Sequence, residues 1–141
     1  MIGLFNKHKR IMTQPNVYNR FSSWLDKHLS MGLPNDIVAV NFNLYEGAEQ
    51  TYDVELVGFN SFDEDDPDWA AGCDEPFTTR EGLFFIRRTD DIADWKQGHS
   101  FITSLVTKYL AEGKYANELK KYKAVGIGFV DCDLDIIYRA E

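Results

Sequence analysis

Apolar residues recur every three or four positions in two segments of the chain, which predicts two main helices. The first apolar stripe runs from Val17 to Leu29, after a helix-start signal at Gln14-Pro15-Asn16. Met31-Gly32-Leu33-Pro34 then predicts the helix end, because glycine accepts the conformation that closes a helix and proline cannot extend one. The second stripe runs from Trp95 to Leu110 and is closed by Glu112-Gly113.

Apolar and polar residues alternate over residues 38–45 and 52–57, a period typical of strands that bury one face. The five residues 46–50 join them, so we expect an antiparallel hairpin. The pattern also predicts a short polar helix over 115–121. Three further strands are predicted, over residues 83–86, 124–130 and 134–138.

Together these elements predict an α+β fold with the order α-β-β-β-α-β-β. Hairpins dominate, so we expect a mostly antiparallel five-stranded sheet with the two main helices packed on one face. No repeat or composition shift divides the chain of 141 residues, which predicts a single α+β domain over 15–141. Residues 1–14 are predicted to be a flexible basic arm.

The charge is strongly uneven along the chain. The formal net charge is −8, yet the 43 residues from Asp36 to Thr78 carry twelve acidic side chains and no Lys or Arg. The segment before this block has a net charge of +4, and the segment after it is balanced. Such an asymmetry bears on partners and association rates and not on the fold.

The acidic block culminates in a predicted loop over residues 60–79, and a loop of that length in a compact domain is often functional. We interpret it as a surface that binds a basic protein, with Trp69 among the carboxylates either as an aromatic anchor for the partner or packed back onto the sheet. The predicted partner-binding residues are Asp63, Glu64, Asp65, Asp66, Asp68, Trp69, Asp74 and Glu75.

The same carboxylates leave a second hypothesis open, a divalent-metal-binding or hydrolytic domain that uses the Asp63–Asp68 loop, with Glu55 as a further ligand across the hairpin. The EF-hand spacing does not fit, because Pro67 falls where a ligand belongs and Asp68 where glycine is needed. The identity of any metal ligands therefore stays unknown from the sequence. A third hypothesis is a structural domain whose acidity serves solubility.

No catalytic residue set is predicted. His28 and His99 fall on the apolar helix stripes, where a histidine is usually a hydrogen-bonded packing residue. Cys73 and Cys132 are each adjacent to carboxylates, which disfavour the reactive thiolate. We expect both to be free thiols in a reducing cytoplasm, and the sequence predicts no cofactor.

Direct nucleic-acid binding is disfavoured by the charge, because affinity for a duplex depends on basic groups that meet phosphates. No apolar run approaches the length that spans a bilayer, so no membrane association is predicted. The leading hypothesis is a non-enzymatic acidic protein-binding domain in the cytoplasm, such as a bacterial toxin-neutralising (immunity) protein that masks a basic surface. The oligomeric state is not predictable from these patterns.

Overall fold

The computed structural model describes residues 16–70, 76–80, 83–130 and 132–140, and the predicted basic arm 1–14 lies outside them. Within the described residues the chain forms three α-helices, one short 3-10 helix and six strands. Their bounds are α1 Val17–Ser30, β1 Ala39–Gly47, β2 Thr51–Phe59, β3 Phe77–Thr78, β4 Phe85–Arg87, the 3-10 helix Asp90–Ile92, α2 Trp95–Glu112, α3 Ala116–Lys120, β5 Ala124–Phe129 and β6 Asp135–Tyr138.

The strands form one sheet in the order β3-β2-β1-β5-β6, with β4 also pairing with β2. The predicted hairpin of β1 and β2 is confirmed, with antiparallel pairs from Ala39 with Phe59 to Gly47 with Thr51. The predicted α+β class is likewise confirmed.

The sheet is mixed, however, because β1 and β5 are parallel. The expected antiparallel arrangement is wrong at this pair. The 3-10 helix, α2 and α3 lie between the hairpin and β5, and they return the chain to the end of the sheet at which β1 begins. Parallel neighbours need such a crossover connection, whereas a tight turn joins only antiparallel strands.

The described residues also hold one more strand than the five predicted. Phe77 and Thr78, inside the predicted loop 60–79, pair with Gly58 and Val57 of β2. A strand of two residues has no alternation that could reveal it.

The helix ends follow local chemistry. Gly32 adopts φ +76° just beyond α1, the left-handed conformation that glycine enters without a Cβ clash. Asp94 caps α2 by accepting a hydrogen bond from the Lys96 amide at 2.7 Å, and the Gln97 side chain accepts one from the Asp94 amide in return.

Helices α1 and α2 pack on one face of the sheet, as predicted. Phe21 of α1 is fully buried and contacts Phe42 of β1 and Tyr109 of α2, with ring centroids 6.1 and 6.4 Å apart. The Tyr109 hydroxyl donates to Asp26 Oδ1 at 2.5 Å and so ties the two helices together. Burial and this carboxylate raise the pKa of Tyr109.

The opposite face of the sheet is also covered, although the alternation predicts one buried face. Ala39, Val57 and Ala124 form a second apolar cluster with Phe59, Trp69 and Ala70, where the last two belong to the loop that follows β2. The cluster is small, but it encloses the polar side of the central strands. The sheet is therefore a middle layer between the helices and a loop.

Gly98 in the middle of α2 is required for close packing against Tyr52. An added Cβ would lie 2.6 Å from Tyr52 Cε2 and 2.7 Å from its hydroxyl oxygen. Tyr52 is fully buried, and its hydroxyl donates to the Ile92 carbonyl at 2.6 Å, so the ring has little freedom to move.

We therefore predict that Gly98→Ala lowers the free energy of unfolding by roughly 1–3 kcal/mol, although alanine is favoured over glycine inside an exposed helix by about 1 kcal/mol. Urea unfolding measures the effect. Thr107→Ala, at an exposed position of the same helix, is the control and should change stability little. A stabilised Gly98→Ala variant would contradict the packing described for Tyr52.

Candidate functional site

The acidic loop, residues 60–70, is ordered by its own aspartates. The Asp63 side chain accepts a hydrogen bond from the Asp65 amide, and the Asp66 side chain accepts one from the Asp68 amide, both at 2.9 Å. Backbone bonds from Asp66 to Asp63 and from Trp69 to Asp66 close the same two turns. Two consecutive aspartate-capped turns therefore set the backbone of the loop.

Trp69 anchors this loop to the sheet. Its ring is only 8% exposed and contacts Phe59 and Phe62 edge-on, with centroids 5.8 and 5.0 Å away. Gly126 of β5 makes room for it, because a Cβ there would lie 2.9 Å from Trp69 Cζ2. The missing side chain at Gly126 thus admits a tryptophan of the loop, on the face opposite the helices.

The predicted partner-binding residues separate into three groups. All five acidic residues between 63 and 68 are exposed. Trp69 points inward and holds the loop, so its ring is not presented at the surface. Asp74 and Glu75 lie outside the described residues, as does Cys73.

A buried polar group lies on the same face of the sheet. Asn41 donates to Asn43 Oδ1 at 2.6 Å, and both side chains are nearly inaccessible. Glu55, 7% exposed, accepts one hydrogen bond from the Tyr45 hydroxyl at 2.6 Å and a second from the Thr78 hydroxyl. The alternation along β1 and β2 gave no sign that these polar positions would be covered.

These contacts bear on the metal hypothesis. Both Glu55 oxygens already accept hydrogen bonds from hydroxyl groups inside the fold, so this carboxylate is not presented together with the acidic loop. Among the residues that the structure describes, no three His, Cys, Asp or Glu side chains are grouped so that they could hold a metal ion. Within the described residues, the geometry therefore does not bring Glu55 and the loop carboxylates together as ligands of one metal ion.

A groove opens at the other end of the sheet, where β1 and β5 end and α2 begins. It consists of two adjoining hollows of about 650 and 420 Å³ that share Trp95 and Cys132. The Trp95 groove, as we name it, is lined by Leu44, Tyr45, Glu46, Trp95, Lys96, His99, Ser100, Phe129, Val130, Cys132, Asp133 and Asp135. Trp95 and Val130 are 42% and 48% exposed, so the groove presents apolar surface to solvent.

His99 is held in place on the wall of this groove. Its Nε2 lies 3.3 Å from Asp135 Oδ2, and its Nδ1 lies 3.5 Å from the Thr103 hydroxyl, at the outer limit of a hydrogen bond. Both ring nitrogens therefore face partners within the fold, and Cys132 lines the same hollow. The groove therefore has the features of a binding surface.

The groove was not predicted, because its residues are far apart in the sequence. Trp95 belongs to the predicted apolar stripe of its helix, and Cys132 is predicted only to be a free thiol beside carboxylates. The parallel pairing of β1 with β5 brings these segments together, and no local pattern records that pairing.

No protein-family model, curated protein or solved structure matches this chain. Across the described residues, no helix combines the length and the apolar character needed to cross a membrane.

His28 provides a test of the structural role assigned to the helix histidines. Its ring packs against Trp24 with centroids 5.6 Å apart, and burial, reinforced by the Lys27 charge, lowers its pKa below 6.5. The unfolded chain therefore binds the proton first as the pH falls, so the folded state loses stability below about pH 7. We predict that His28→Gln removes this loss, measured as a smaller fall in unfolding free energy between pH 7.5 and 5.5. Parallel pH profiles for the variant and the wild type would contradict it.

Removal of Trp69 tests how the acidic loop is held. We predict that Trp69→Ala lowers the free energy of unfolding by about 3 kcal/mol, in the range of buried tryptophan truncations, and speeds hydrogen exchange at the Asp65, Asp66 and Asp68 amides. Trp95→Ala is the control, since Trp95 is 42% exposed and lies away from the loop. Unchanged exchange in the loop of Trp69→Ala would show that the aspartate turns hold it without the tryptophan.

Proposed function

We propose that this chain is a non-enzymatic acidic protein-binding domain that covers a basic surface of another protein. The observation that carries the proposal is the state of the acidic loop. Five exposed carboxylates lie within six residues, and Glu64, which pairs with Arg139, is the one of these that meets a Lys or Arg within the described part of the chain. Within those described residues, four negative charges of the loop are thus left for a partner.

The order of the loop supports the same proposal. Asp63 and Asp66 bind loop amides, and Trp69 fixes the end of the segment on the sheet. A preorganised loop loses less conformational freedom on binding than a flexible one, so more of its interaction energy contributes to affinity. Loops whose acidity serves only solubility do not require such anchoring.

The charge distribution also favours fast association. Unpaired carboxylates concentrated on one surface raise the rate of encounter with a basic partner, and this effect weakens as salt is added. Arg88, in contrast, forms an ion pair within the fold, with a guanidinium nitrogen 3.2 Å from Glu46 Oε2. The acidic loop therefore keeps its negative electrostatic potential, while part of the charge elsewhere in the chain is neutralised by ion pairs within the fold.

A bacterial toxin-neutralising protein is the concrete form of the proposal. Nucleases and other toxins often present basic active-site clefts, and a small acidic domain that covers such a cleft blocks access to it. This is an analogy at the level of protein class, drawn from size, acidity and the α+β architecture.

Neutralisation of the loop tests the proposal. The quadruple variant Asp63→Asn, Asp65→Asn, Asp66→Asn and Asp68→Asn keeps an amide oxygen wherever an aspartate now caps a turn, so the loop conformation should persist. Proteins captured from cell lysate on the immobilised chain at low salt would supply the partner. Stopped-flow association of the purified partner should then slow by about tenfold or more at low salt, and the difference should shrink at high salt.

A matched control removes the same charge elsewhere. The control variant changes four exposed acidic residues outside the loop, Glu49→Gln, Asp90→Asn, Glu112→Gln and Glu118→Gln. Glu112 belongs to α2 and Glu118 to α3. This variant should associate within about twofold of the wild-type rate, because distant exposed charges are screened. Equal slowing in both variants, or capture of no basic protein, would contradict a role for the loop.

A further inference from the structure

Trp95 presents an aromatic face that already holds a cation. Its ring meets the Phe129 ring at a right angle, with centroids 6.2 Å apart, and the residue is 42% exposed to solvent. The Lys96 ammonium lies 5.6 Å from the ring centroid. A cation over an indole face is attracted by the negative charge of the ring. Lys96 is exposed, so a cation from outside is able to replace it.

The carboxylates of the same groove add to this preference. Asp133 and Asp135 are exposed and line the hollow with Trp95 and Lys96, and within the described part of the chain neither pairs with a Lys or Arg. Asp135 contacts His99 alone among basic side chains described here, through one of its two oxygens. Glu46, in the neighbouring hollow, is neutralised by Arg88. Two acidic groups therefore stand beside an aromatic face.

We infer that the Trp95 groove binds an arginine side chain of the protein partner. A guanidinium group is flat, so it stacks on the indole, and its N–H groups form a fork that matches carboxylate oxygens. Lysine carries the same charge, but its ammonium group is compact and strongly hydrated, so it stacks less well on the indole. The inference rests on the proposed function only in taking the arginine to belong to a protein partner.

The position of the groove suits one interface with the acidic loop. Asp135 begins β6, and Arg139, just beyond the end of that strand, pairs with Glu64 of the loop. Four residues of strand span about 13 Å, and a typical interface buries about 800 Å² on each partner. A partner that covers the β6 edge is therefore able to meet the loop carboxylates and place an arginine in the groove.

A small probe tests the groove without any partner. Acetyl-Gly-Arg-Gly-amide is titrated into the ¹⁵N-labelled chain, together with the lysine and the neutral citrulline peptides. We expect saturable shifts at the Trp95 indole N–H and at the Asp133 and Asp135 amides, with the arginine peptide bound most tightly and the citrulline peptide most weakly. Equal affinity for the arginine and citrulline peptides would overturn the inference, since stacking alone would then explain binding.

Removal of the internal competitor is the sharper test. Lys96→Ala should tighten binding of the arginine peptide by about two- to fivefold, the range of an exposed cation–π contact. Lys108→Ala is the matched control: it removes the same charge from the same helix, from a lysine that lies over Tyr18 at 4.3 Å. Trp95→Ala, and separately Asp133→Asn with Asp135→Asn, should each weaken binding at least threefold. Equal effects of the two lysine variants would overturn the inference.

The purified partner separates this inference from the proposed function. If the groove is the anchor, Trp95→Ala should raise the dissociation rate of the complex, while the loop variant lowers the association rate. A partner that is slowed by loop neutralisation and unaffected by Trp95→Ala would overturn the groove and leave the proposed function standing. A chain that binds the arginine peptide at Trp95 and captures no basic protein would retain a guanidinium site and contradict the proposed function.

Discussion

Six residue pairs join β1 to β5 in parallel register, from Ala39 with Ala124 to Leu44 with Phe129, and this pairing organises most of the molecule. It holds the hairpin and the C-terminal strands in one sheet and makes both central strands end at the same edge. The crossover through α2 then places the start of that helix beside those strand ends. The Trp95 groove is the consequence of this arrangement, because its walls come from all three elements.

The opposite face of the sheet depends on a second packing relation, between Trp69 and Gly126. At Gly126, where β5 has no side chain, the loop tryptophan reaches the sheet on the same face as the buried pair Asn41 and Asn43. Burial of Trp69 therefore has two effects. It completes the covering of the sheet, and it fixes a run of carboxylates whose mutual repulsion would otherwise favour an extended, mobile segment.

The sequence-based predictions are confirmed where interactions between residues close together in the chain decide the structure. The helical stripe around Phe21, the end of α1 at Gly32 and the hairpin of β1 and β2 all depend on neighbouring residues, and the structure confirms them. The direction of β5 relative to β1 depends on a crossover of some 75 residues. The prediction of a mostly antiparallel sheet rested on hairpins between neighbouring strands, so it was wrong for this pair. Trp69 and Trp95 show the same limit at the level of the site, because their burial is set by residues distant in the sequence. The sequence left Trp69 open between an interface anchor and a residue packed on the sheet, and its helical stripe placed Trp95 in the core.

Hydrogen exchange of the chain in complex with its captured partner would test the central claim most directly, since it locates the contact without any mutation. The account predicts that the partner protects amides of residues 63–69, with further protection at the rim of the Trp95 groove around residues 132–135. Protection confined to α1 and α3, on the helix layer, would contradict the claim that the acidic loop is the surface that this protein uses.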